Sequence, residues 1–487
     1  MRPFYTALFV VLIVIAFDFC AGQKCEAQPQ EENVKEIVIG FNYPKTGPYK
    51  QEGKDQFQGA ELARKQINDR GGILGRTITW GSEPQDTQSD PEKAKENACD
   101  LLVNKKAKMI FGGSSSGVAV EVGKVASYHK RLFFATLTYS MDTTGKDGYK
   151  TTFRECSDSW MAAKALGHYL KDNKLSPSLK KKYFYITAGY TWGYTTETAL
   201  RFHTNTTDTA IHEGVITPFK GGFKNRIATG KDFSDALKKA IHKNPDENPD
   251  VLVLVLFGND FIKAIRVIKE KEKKFKNKRP QIIVPNLTYA MARSAGADNM
   301  KGIIGTVPWE WQVARKEEFS KGKIFVTEYQ RANHGAYPSS SAASAYNILY
   351  QYKEAVERLY DIYQGNSHDE KKEKEYDQEV VTKVFDDTEG LIDQLENAKY
   401  TGVKDEQQWR DFDHQSLQSV FVVQGKKKPE NANDYFQILN KYDKVAIPKI
   451  LWIWQRLMAG KKELGWYDKD SGDPCEGYKK KEIKEYE

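Results

Sequence analysis

Residues 37–75 read IVIGFNYPKTGPYKQEGKDQFQGAELARKQINDRGGILG, and this stretch decides the fold. The run Ile37–Ile39 is consecutive and β-branched, as in a parallel strand that is covered on both faces. Residues 44–53 contain two prolines and two glycines, so neither helix nor strand should continue through them. From Gln56, apolar residues recur at helical spacing until Gly71 stops the helix. The pattern predicts a βα unit whose loop is either a plain surface loop or part of a ligand site at the strand's carboxyl end.

The same stretch resembles the opening of a known family. The loop motif Pro-x-Thr-Gly and the helix ending Ile-Asn-x-x-Gly-Gly-Ile-Leu-Gly-Arg are similar to the substrate-binding proteins of ABC importers, in the branched-chain amino acid and amide branch. The resemblance covers roughly residues 36–424. It implies an α/β fold of the type I periplasmic binding protein class, with two Rossmann-like lobes joined by a multi-crossing hinge. The matching residues are Pro44, Thr46, Gly47, Pro48, Gly59, Ala60, Ala63, Ile67, Asn68 and Gly71 to Arg76.

Strands and helices alternate along most of the chain, which by itself indicates an α/β protein with parallel sheets. Two such runs predict lobe 1 over residues 36–158 and lobe 2 over residues 159–284. We expect the chain to return partly to lobe 1 over residues 285–363 and to cross between the lobes over residues 364–424. Residues 425–487 lie outside the resemblance and form a C-terminal extension, in which a packed terminal helix is favoured over a partner site.

Residues 1–22 have the composition of an export signal. Arg2 precedes the apolar run Phe4–Phe17, and Cys20-Ala21-Gly22 offers small residues for cleavage. The run is too short to span a bilayer comfortably. Because Asp18 makes the cleavage region irregular, the segment is either removed or retained as an N-terminal membrane anchor. Export to the periplasm is expected in both cases.

The composition argues against a nucleic-acid partner and against catalysis. The 487 residues include 74 Lys and Arg against 66 Asp and Glu, a net charge of +8. Lysine runs such as Lys426–Lys428 have no interleaved aromatic residues and are typical of solvated loops. The chain has no zinc, Walker or dinucleotide-binding motif, and its eight histidines are scattered. We therefore expect neither an enzyme nor a cofactor.

Four of the five cysteines lie beyond the export signal: Cys25, Cys99, Cys156 and Cys475. An even number in an exported chain allows two disulfides, in three alternative pairings. We expect a Cys25–Cys475 bond that ties the two ends together and a Cys99–Cys156 bond within lobe 1. No C-x-x-C motif is present, so a redox role is not indicated.

The strongest local signal for a binding site is the turn Gly113–Gly117, with three serines between a buried strand and a helix. Free N–H groups at a helix N-terminus and serine hydroxyls favour a carboxylate or another acceptor oxygen, whereas simple N-capping needs only one serine. Members of the resembled family hold the ligand's carboxylate or carbonyl oxygen here, which implies contacts from Ser114 and Ser116. The next loop is implied as a second set of contacts: Thr136, Thr138 and Tyr139.

In lobe 2 the resemblance implies Trp192 as an aromatic lid and Asn259 as a further contact. Asn286 stands where amino-acid binders of the family carry an acid that pairs with the ligand's ammonium group. An amide cannot supply that charge, and an unpaired charge in a dry cleft is costly. The ligand class therefore stays open between an amino acid, a neutral amide, a urea-like compound and a carboxylic acid. Three acids are alternatives for the missing charge: Asp260, Glu310 and Glu52, the last on the cleft rim.

Together these features predict an extracytoplasmic solute-binding protein that captures an amino acid or a related amide or carboxylate between its lobes. The resemblance implies delivery to the permease of an ABC importer, by a chain that acts as a monomer. Lobe closure over the ligand would shift an equilibrium that exists before binding. The alternative function is a ligand-sensing module of the same fold that signals through a separate membrane partner.

Overall fold

The computed structural model describes residues 36–173, 175, 181–220, 223–275, 278–316, 319–365, 376–443, 445–461 and 464–476. The predicted export signal and Cys25 lie outside these residues. Within the described ranges, none of the helices combines the length and the apolar character that crossing a bilayer requires.

The first run of alternating elements forms the first lobe. Its elements are β1 (Glu36–Val38), β2 (Gly40–Tyr43), α1 (Lys50–Asn68), β3 (Thr77–Thr79), β4 (Gln85–Asp86), α2 (Pro91–Cys99) with a π-helical turn (Asp100–Asn104), β5 (Met109–Gly112), α3 (Ser116–Tyr128), β6 (Leu132–Ala135) and β7 (Thr152–Arg154). The sheet has the order β4-β2-β5-β6-β7, with β1 and β3 as a separate pair. All of these pairings are parallel, because the connections return the chain to the same end of the sheet.

The second run forms the second lobe. Its elements are α4 (Ser159–Asp172), β8 (Tyr183–Ala188), α5 (Thr191–Thr204), β9 (Gly214–Thr217), α6 (Gly230–Ala240), β10 (Val251–Val255), α7 (Gly258–Lys271), β11 (Gln281–Val284), α8 (Tyr289–Ala295), α9 (Ala297–Met300), β12 (Ile304–Val307), α10 (Trp311–Lys316) and α11 (Ser320–Ala332). Later in the chain, β16 (Val420–Gly425) and β17 (Phe436–Tyr442) complete a seven-stranded sheet in the order β17-β16-β12-β11-β10-β8-β9. The pairings of β16 are antiparallel and the others are parallel.

Between these segments the chain returns to the first lobe. It forms α12 (Ser340–Tyr363), α13 (Gln378–Asp386), α14 (Thr388–Glu396) and a small antiparallel sheet of β13 (Lys399–Thr401), β14 (Glu406–Trp409) and β15 (Ser416–Leu417). Helix α12 packs along α1 so closely that a Cβ on Gly59 would lie 2.2 Å from the Ala342 carbonyl oxygen. The return to the first lobe predicted from residue 285 begins later, at α12, because β12 pairs with β11 in the second sheet.

The hinge between the lobes consists of several crossings that a buried polar network holds together. The Lys404 Nζ lies 2.8 Å from the Glu155 Oε1, and both side chains are buried. The neighbouring Gln415 side-chain amide donates a hydrogen bond to the Cys156 carbonyl, at 2.8 Å. Because a buried charge that lost its partner would be costly, this network fixes the path of the crossing segments.

The C-terminal extension is part of both lobes. Strand β17 forms the edge of the second sheet, and helix α15 (Lys449–Met458) then packs against both lobes, with Trp452 clustered with Trp160 of α4. The indole N–H of Trp452 donates to the Thr144 carbonyl, at 3.1 Å. The chain then runs across the first lobe to Cys475, which is bonded to Cys99 at the end of α2.

The observed disulfide, Cys99–Cys475, differs from the predicted pairings. Both expectations were wrong, since Cys99 does not pair with Cys156 and Cys475 does not pair with Cys25. Cys156 is a free thiol that is buried where the chain crosses between the lobes. The physical reason is the path of the extension, which brings together two cysteines that are 376 positions apart in the sequence. Nothing in the cysteine spacing indicates this path.

Replacement of Cys475 by Ala should lower the free energy of unfolding by about 2–4 kcal/mol, because the bond closes a very long loop in the unfolded chain. Thermal denaturation with and without reductant measures this effect. Cys156→Ala is the matched control and should leave the sensitivity to reductant intact. A Cys475→Ala variant that unfolds like the wild-type protein would contradict the pairing, as would a non-reduced peptide map without the Cys99–Cys475 link.

Candidate functional site

Both parallel sheets point the carboxyl ends of their strands at the same space, the cleft between the two lobes. Open α/β sheets bind ligands at this edge. The lobes touch each other across the cleft. The Tyr49 hydroxyl donates to the Tyr190 hydroxyl, at 3.0 Å, and the Asn259 N–H donates to the Pro48 carbonyl, at 3.2 Å. The structure is therefore a closed arrangement of the lobes.

Glu52 enters the cleft from the first turn of α1. The helix begins at Lys50 rather than at the predicted Gln56, because Gly53 lets the loop fold back over this turn. A Cβ on Gly53 would lie 1.9 Å from the Pro44 carbonyl oxygen. The turn is thereby covered and Glu52 is 1% exposed. Its Oε1 lies 3.5 Å from the Thr288 hydroxyl of the second lobe, and its Oε2 has no hydrogen-bond partner among the described residues.

The three serines of the predicted turn have different roles. Ser115 caps α3, since its side chain accepts a hydrogen bond from the Val118 N–H. Ser114 lies 3.2 Å from the Ser89 hydroxyl, to which it donates. The Ser116 hydroxyl is buried and finds no partner in the described part of the chain. Of the two predicted serine contacts, Ser116 is thus the one with a hydroxyl available at the helix N-terminus.

The residues of the loop after β6 also differ in whether their hydroxyls are already hydrogen-bonded within the protein. Thr136 serves the scaffold, because its hydroxyl donates to the Gln56 Oε1, at 2.8 Å. The Thr138 hydroxyl is buried and has no partner within the described ranges. Tyr139 lies against Phe257 of the second lobe, with 5.5 Å between the ring centroids. Burial raises the pKa of Tyr139 well above its usual value, and the charges of Cys156 and Glu52 raise it further.

Trp192 belongs to an aromatic wall of the cleft. It is buried at the start of α5, with its ring centroid 5.9 Å from that of Phe257. Tyr190 stacks on Phe219 with 3.9 Å between centroids, and Tyr49 of the first lobe completes the cluster by an edge contact with Phe257, at 5.4 Å. The Trp192 indole N–H is unpartnered in the part of the chain that the structure describes. It remains available to an acceptor on a ligand.

Two predicted asparagines have different surroundings. Asn259 contacts the first lobe through its backbone N–H and is only partly buried. Asn286 follows β11 in a left-handed conformation, with φ of 57°, and is 1% exposed. Neither the amide nitrogen nor the amide oxygen of its side chain has a partner among the described residues. A buried amide is costly in this state, which makes Asn286 a strong candidate for ligand contact.

The electrostatics around Glu52 leave one carboxyl group without a counter-charge. Arg293 of α8 pairs with Asp55 of α1, at 2.9 Å, and thereby joins the two lobes. The pKa of Glu52 is raised to about 8, mainly by burial and to a lesser extent by Asp55, whereas a backbone hydrogen bond, Arg293 and the Thr288 hydroxyl act in the opposite direction. The Glu52 carboxyl group therefore holds a proton at neutral pH, and a ligand with a positive charge would replace that proton.

The two other acids that the sequence offered are also buried in the second lobe. Burial raises the pKa of Glu310 to about 8, although its Oε2 accepts the Gln312 N–H at 2.8 Å. Burial likewise raises the pKa of Asp260 to about 7, against the opposing charge of Lys263. Of the three acids, Glu52 is the one that touches both lobes.

Sequence reasoning missed several residues that surround the cleft. Tyr49, Tyr190, Phe219 and Phe257 all follow parallel strands directly or within a few residues, and aromatic residues at these strand ends were the available signal. The serines at the start of α12 were also missed. All three are buried; the hydroxyls of Ser339 and Ser341 have no partner within the described residues, whereas Ser340 lies beside the Tyr139 hydroxyl. The pair Asp55–Arg293 had no sequence signal, because its members lie 238 positions apart.

Glu52→Gln should stabilise the protein without ligand above about pH 4.5. Between pH 4.5 and 8 the folded state keeps a proton on Glu52 that the unfolded chain has released, so wild-type stability falls as pH rises. Glu52→Gln has no carboxyl group at this position, so its stability should not fall with pH for this reason. We expect the difference in unfolding free energy to grow by up to about 1.4 kcal/mol per pH unit in this range and to vanish below pH 4.5.

Denaturant titrations from pH 4 to 8.5 measure the difference. Glu213→Gln is the control because Glu213 is exposed, and this variant should keep the wild-type profile. The contribution of Glu310 is common to both proteins and cancels. Parallel profiles for the wild-type protein and Glu52→Gln would show that Glu52 is ionised in the folded state and would contradict the assignment.

Comparison with known proteins agrees with this geometry. Residues 36–430 match the family model described as periplasmic binding protein. Leu/Ile/Val-binding protein homolog 1 of Brucella abortus is 27% identical over 182 residues, which cover 37% of this chain and 47% of that protein. Leu/Ile/Val-binding protein BraC3 of Rhizobium johnstonii is 29% identical over 138 residues, covering 28% and 36%. The chain thus spans about half the length of such relatives, or less.

Solved structures show the same fold over nearly their whole length. A periplasmic binding protein from Burkholderia mallei has a TM-score of 0.68 at 17% identity, covering 85% of this chain and 97% of that one. A solute-binding protein from Rhodopseudomonas palustris, in complex with 3,4-dihydroxybenzoic acid, has a TM-score of 0.67 at 16% identity, covering 85% and 99%. LivJ from Streptococcus pneumoniae, in complex with isoleucine, has a TM-score of 0.61 at 17% identity, covering 84% and 99%. The chain belongs to the periplasmic binding protein family, whose model matches most of its length.

Proposed function

We propose that this protein captures a small amine-bearing organic solute, of the amino-acid type, between its lobes and presents it to the permease of an ABC importer. The observation that carries the proposal is a set of buried polar atoms near the strand ends of both lobes that have no partner among the described residues. Native proteins rarely leave such atoms unpaired. The set includes Glu52 Oε2, the hydroxyls of Ser116 and Thr138, the Trp192 indole N–H and the Asn286 amide.

The chemistry of these groups favours a particular ligand. Ser116 stands at the N-terminus of α3, where a hydroxyl and the positive end of the helix dipole suit a carboxylate. Glu52 supplies the negative charge that Asn286 cannot supply, so a ligand ammonium group would be paired from the first lobe. The aromatic wall of Tyr190, Trp192 and Phe257 offers apolar surface for the rest of the ligand and attracts cations through its ring faces.

The cellular setting follows from the family and from the predicted export signal. Relatives of this chain carry the name Leu/Ile/Val-binding protein, and similar structures are described as solute-binding proteins of ABC transporters. We therefore propose a periplasmic location and an importer permease as partner. A benzoate-type acid is the competing ligand class, because some structures of this fold are complexes with such acids.

Calorimetry against α-amino acids, their amides, ureas and benzoates tests the ligand class. We expect one amine-bearing ligand to bind tightly and the analogue without the amine to bind at least about tenfold more weakly, which corresponds to about 1.4 kcal/mol. Glu52→Gln should remove this preference, whereas Glu213→Gln should retain it. Tighter binding of a carboxylic acid that has no amine would contradict the proposal, as would consumption of the ligand.

Gly258→Ala should weaken ligand binding by opposing lobe closure. A Cβ at this position would lie 2.6 Å from the Tyr49 Cδ1 and 2.8 Å from the Pro48 carbonyl oxygen of the first lobe. Gly296→Ala is the matched control, because both glycines have positive φ but nothing lies within 4 Å of a Cβ on Gly296. Calorimetry and solution X-ray scattering should show at least about a tenfold loss of affinity and a larger radius of gyration for Gly258→Ala. Equal affinities for the two variants would contradict the role of this contact in closure.

A further inference from the structure

The C-terminal helix α15 exposes an unusual amount of apolar surface. Five of its large apolar side chains are exposed, among them Ile450, Trp454 at 58% and Met458 at 84%. Phe202 at 61% and Tyr194 on the neighbouring helix α5 are exposed beside them. Single exposed apolar residues are normal on a protein surface, but a contiguous patch of this kind marks an interaction site. We call these seven residues, which also include Leu451 and Leu457, the α15 patch.

The α15 patch has both a concave and a convex part. The concave part is a groove of about 710 Å³ between α15 and α5, with Leu451 and Met458 on one wall and Tyr194 and Phe202 on the other. The convex part is a ridge that contains Ile450 and Leu457, which do not line the groove. A surface that has a ridge beside a groove is complementary to its own copy after a two-fold rotation.

The size of the α15 patch fits a dimer interface. Added together, the exposed fractions of its seven residues equal about four fully exposed large side chains. At about 200 Å² for each side chain, this is roughly 800 Å² of surface. The largest apolar patch on a typical monomer measures about 300–600 Å², whereas a standard interface buries about 800 Å² on each partner. The exposed apolar surface is therefore comparable to the area that one partner buries in a standard interface.

The charges at the groove also favour a second copy over a lipid surface. Asp142 and Lys146 line the groove and pair with each other, with 3.0 Å between Asp142 Oδ2 and Lys146 Nζ. A pair of opposite charges can exchange partners across a two-fold axis, which a lipid surface does not offer. A flat bilayer would also touch the ridge and leave the groove unfilled.

We infer that the α15 patch is the interface of a homodimer, in which the ridge of each copy fills the groove of the other. Helix α15 lies beyond the matched family region, residues 36–430, so this interface is a feature of the C-terminal extension. It revises the expectation that the protein is a monomer. The dimer does not depend on the nature of the cleft ligand, because the two sites share no described binding residue.

Sedimentation velocity of the full chain over a range of protein concentrations tests this inference. We expect the wild-type protein to reach twice the mass of one chain, and Trp454→Glu/Leu457→Glu to remain at the mass of one chain. Met458→Glu is a second variant at a position that packs against little, so it keeps the test valid if the double variant folds poorly. The matched control, Ile362→Glu, alters an equally exposed isoleucine on α12 and should dimerise like the wild-type protein.

Two results would overturn the inference. One is a wild-type protein that stays at the mass of one chain at every concentration. The other is a dimer that persists in both Met458→Glu and the double variant. Flotation with anionic vesicles identifies the competing occupant: binding of monomeric wild-type protein that Met458→Glu abolishes would assign the α15 patch to a lipid surface and would also overturn the inference.

Discussion

The carboxyl group of Glu52 is buried where the two lobes meet. The electrostatics of the cleft depend on this burial. Thr288 of the second lobe lies against one of its oxygens, and the only arginine described as facing it, Arg293, is already paired with Asp55. An acid in this position must stay protonated or find a cation. Among the described residues, the closed lobes thus provide no free cation to pair with an ionised Glu52 carboxylate.

A buried acid without a cation lowers the stability of the folded protein, but it also favours a ligand that brings the missing charge. A proton on Glu52 avoids a buried charge, but the Ser116 hydroxyl and the Asn286 amide still have no partner among the described residues. A ligand that satisfies Glu52, Ser116 and Asn286 together would remove several of these costs in one step. Closed lobes without ligand are therefore expected to be less favourable than closed lobes with ligand, which is the differential interaction that a population shift requires. Binding then follows from the arrangement of the groups, with no chemical step.

The sequence predicts those parts of the site that depend on local pattern. Strand, turn and helix signals locate the serine turn at the strand edge. They cannot tell that Ser115 caps the helix while the Ser116 hydroxyl finds no partner within the described ranges. That distinction depends on which N–H each hydroxyl reaches. The start of α1 was missed because Gly53 is a helix breaker in isolation, whereas here it accommodates the Pro44 carbonyl. Long-range pairs were out of reach: Asp55 with Arg293, Cys99 with Cys475, and β12 with its sheet neighbours.

The most direct measurement is the number of protons released when an amine-bearing ligand binds. At pH 7 a carboxyl group with a pKa of about 8 is protonated in roughly nine of ten molecules, and an ammonium partner would ionise it. Calorimetry in two buffers of different ionisation enthalpy should therefore show the release of nearly one proton per ligand. Glu52→Gln should release none. Tight binding of the amine to the wild-type protein without proton release would contradict the account.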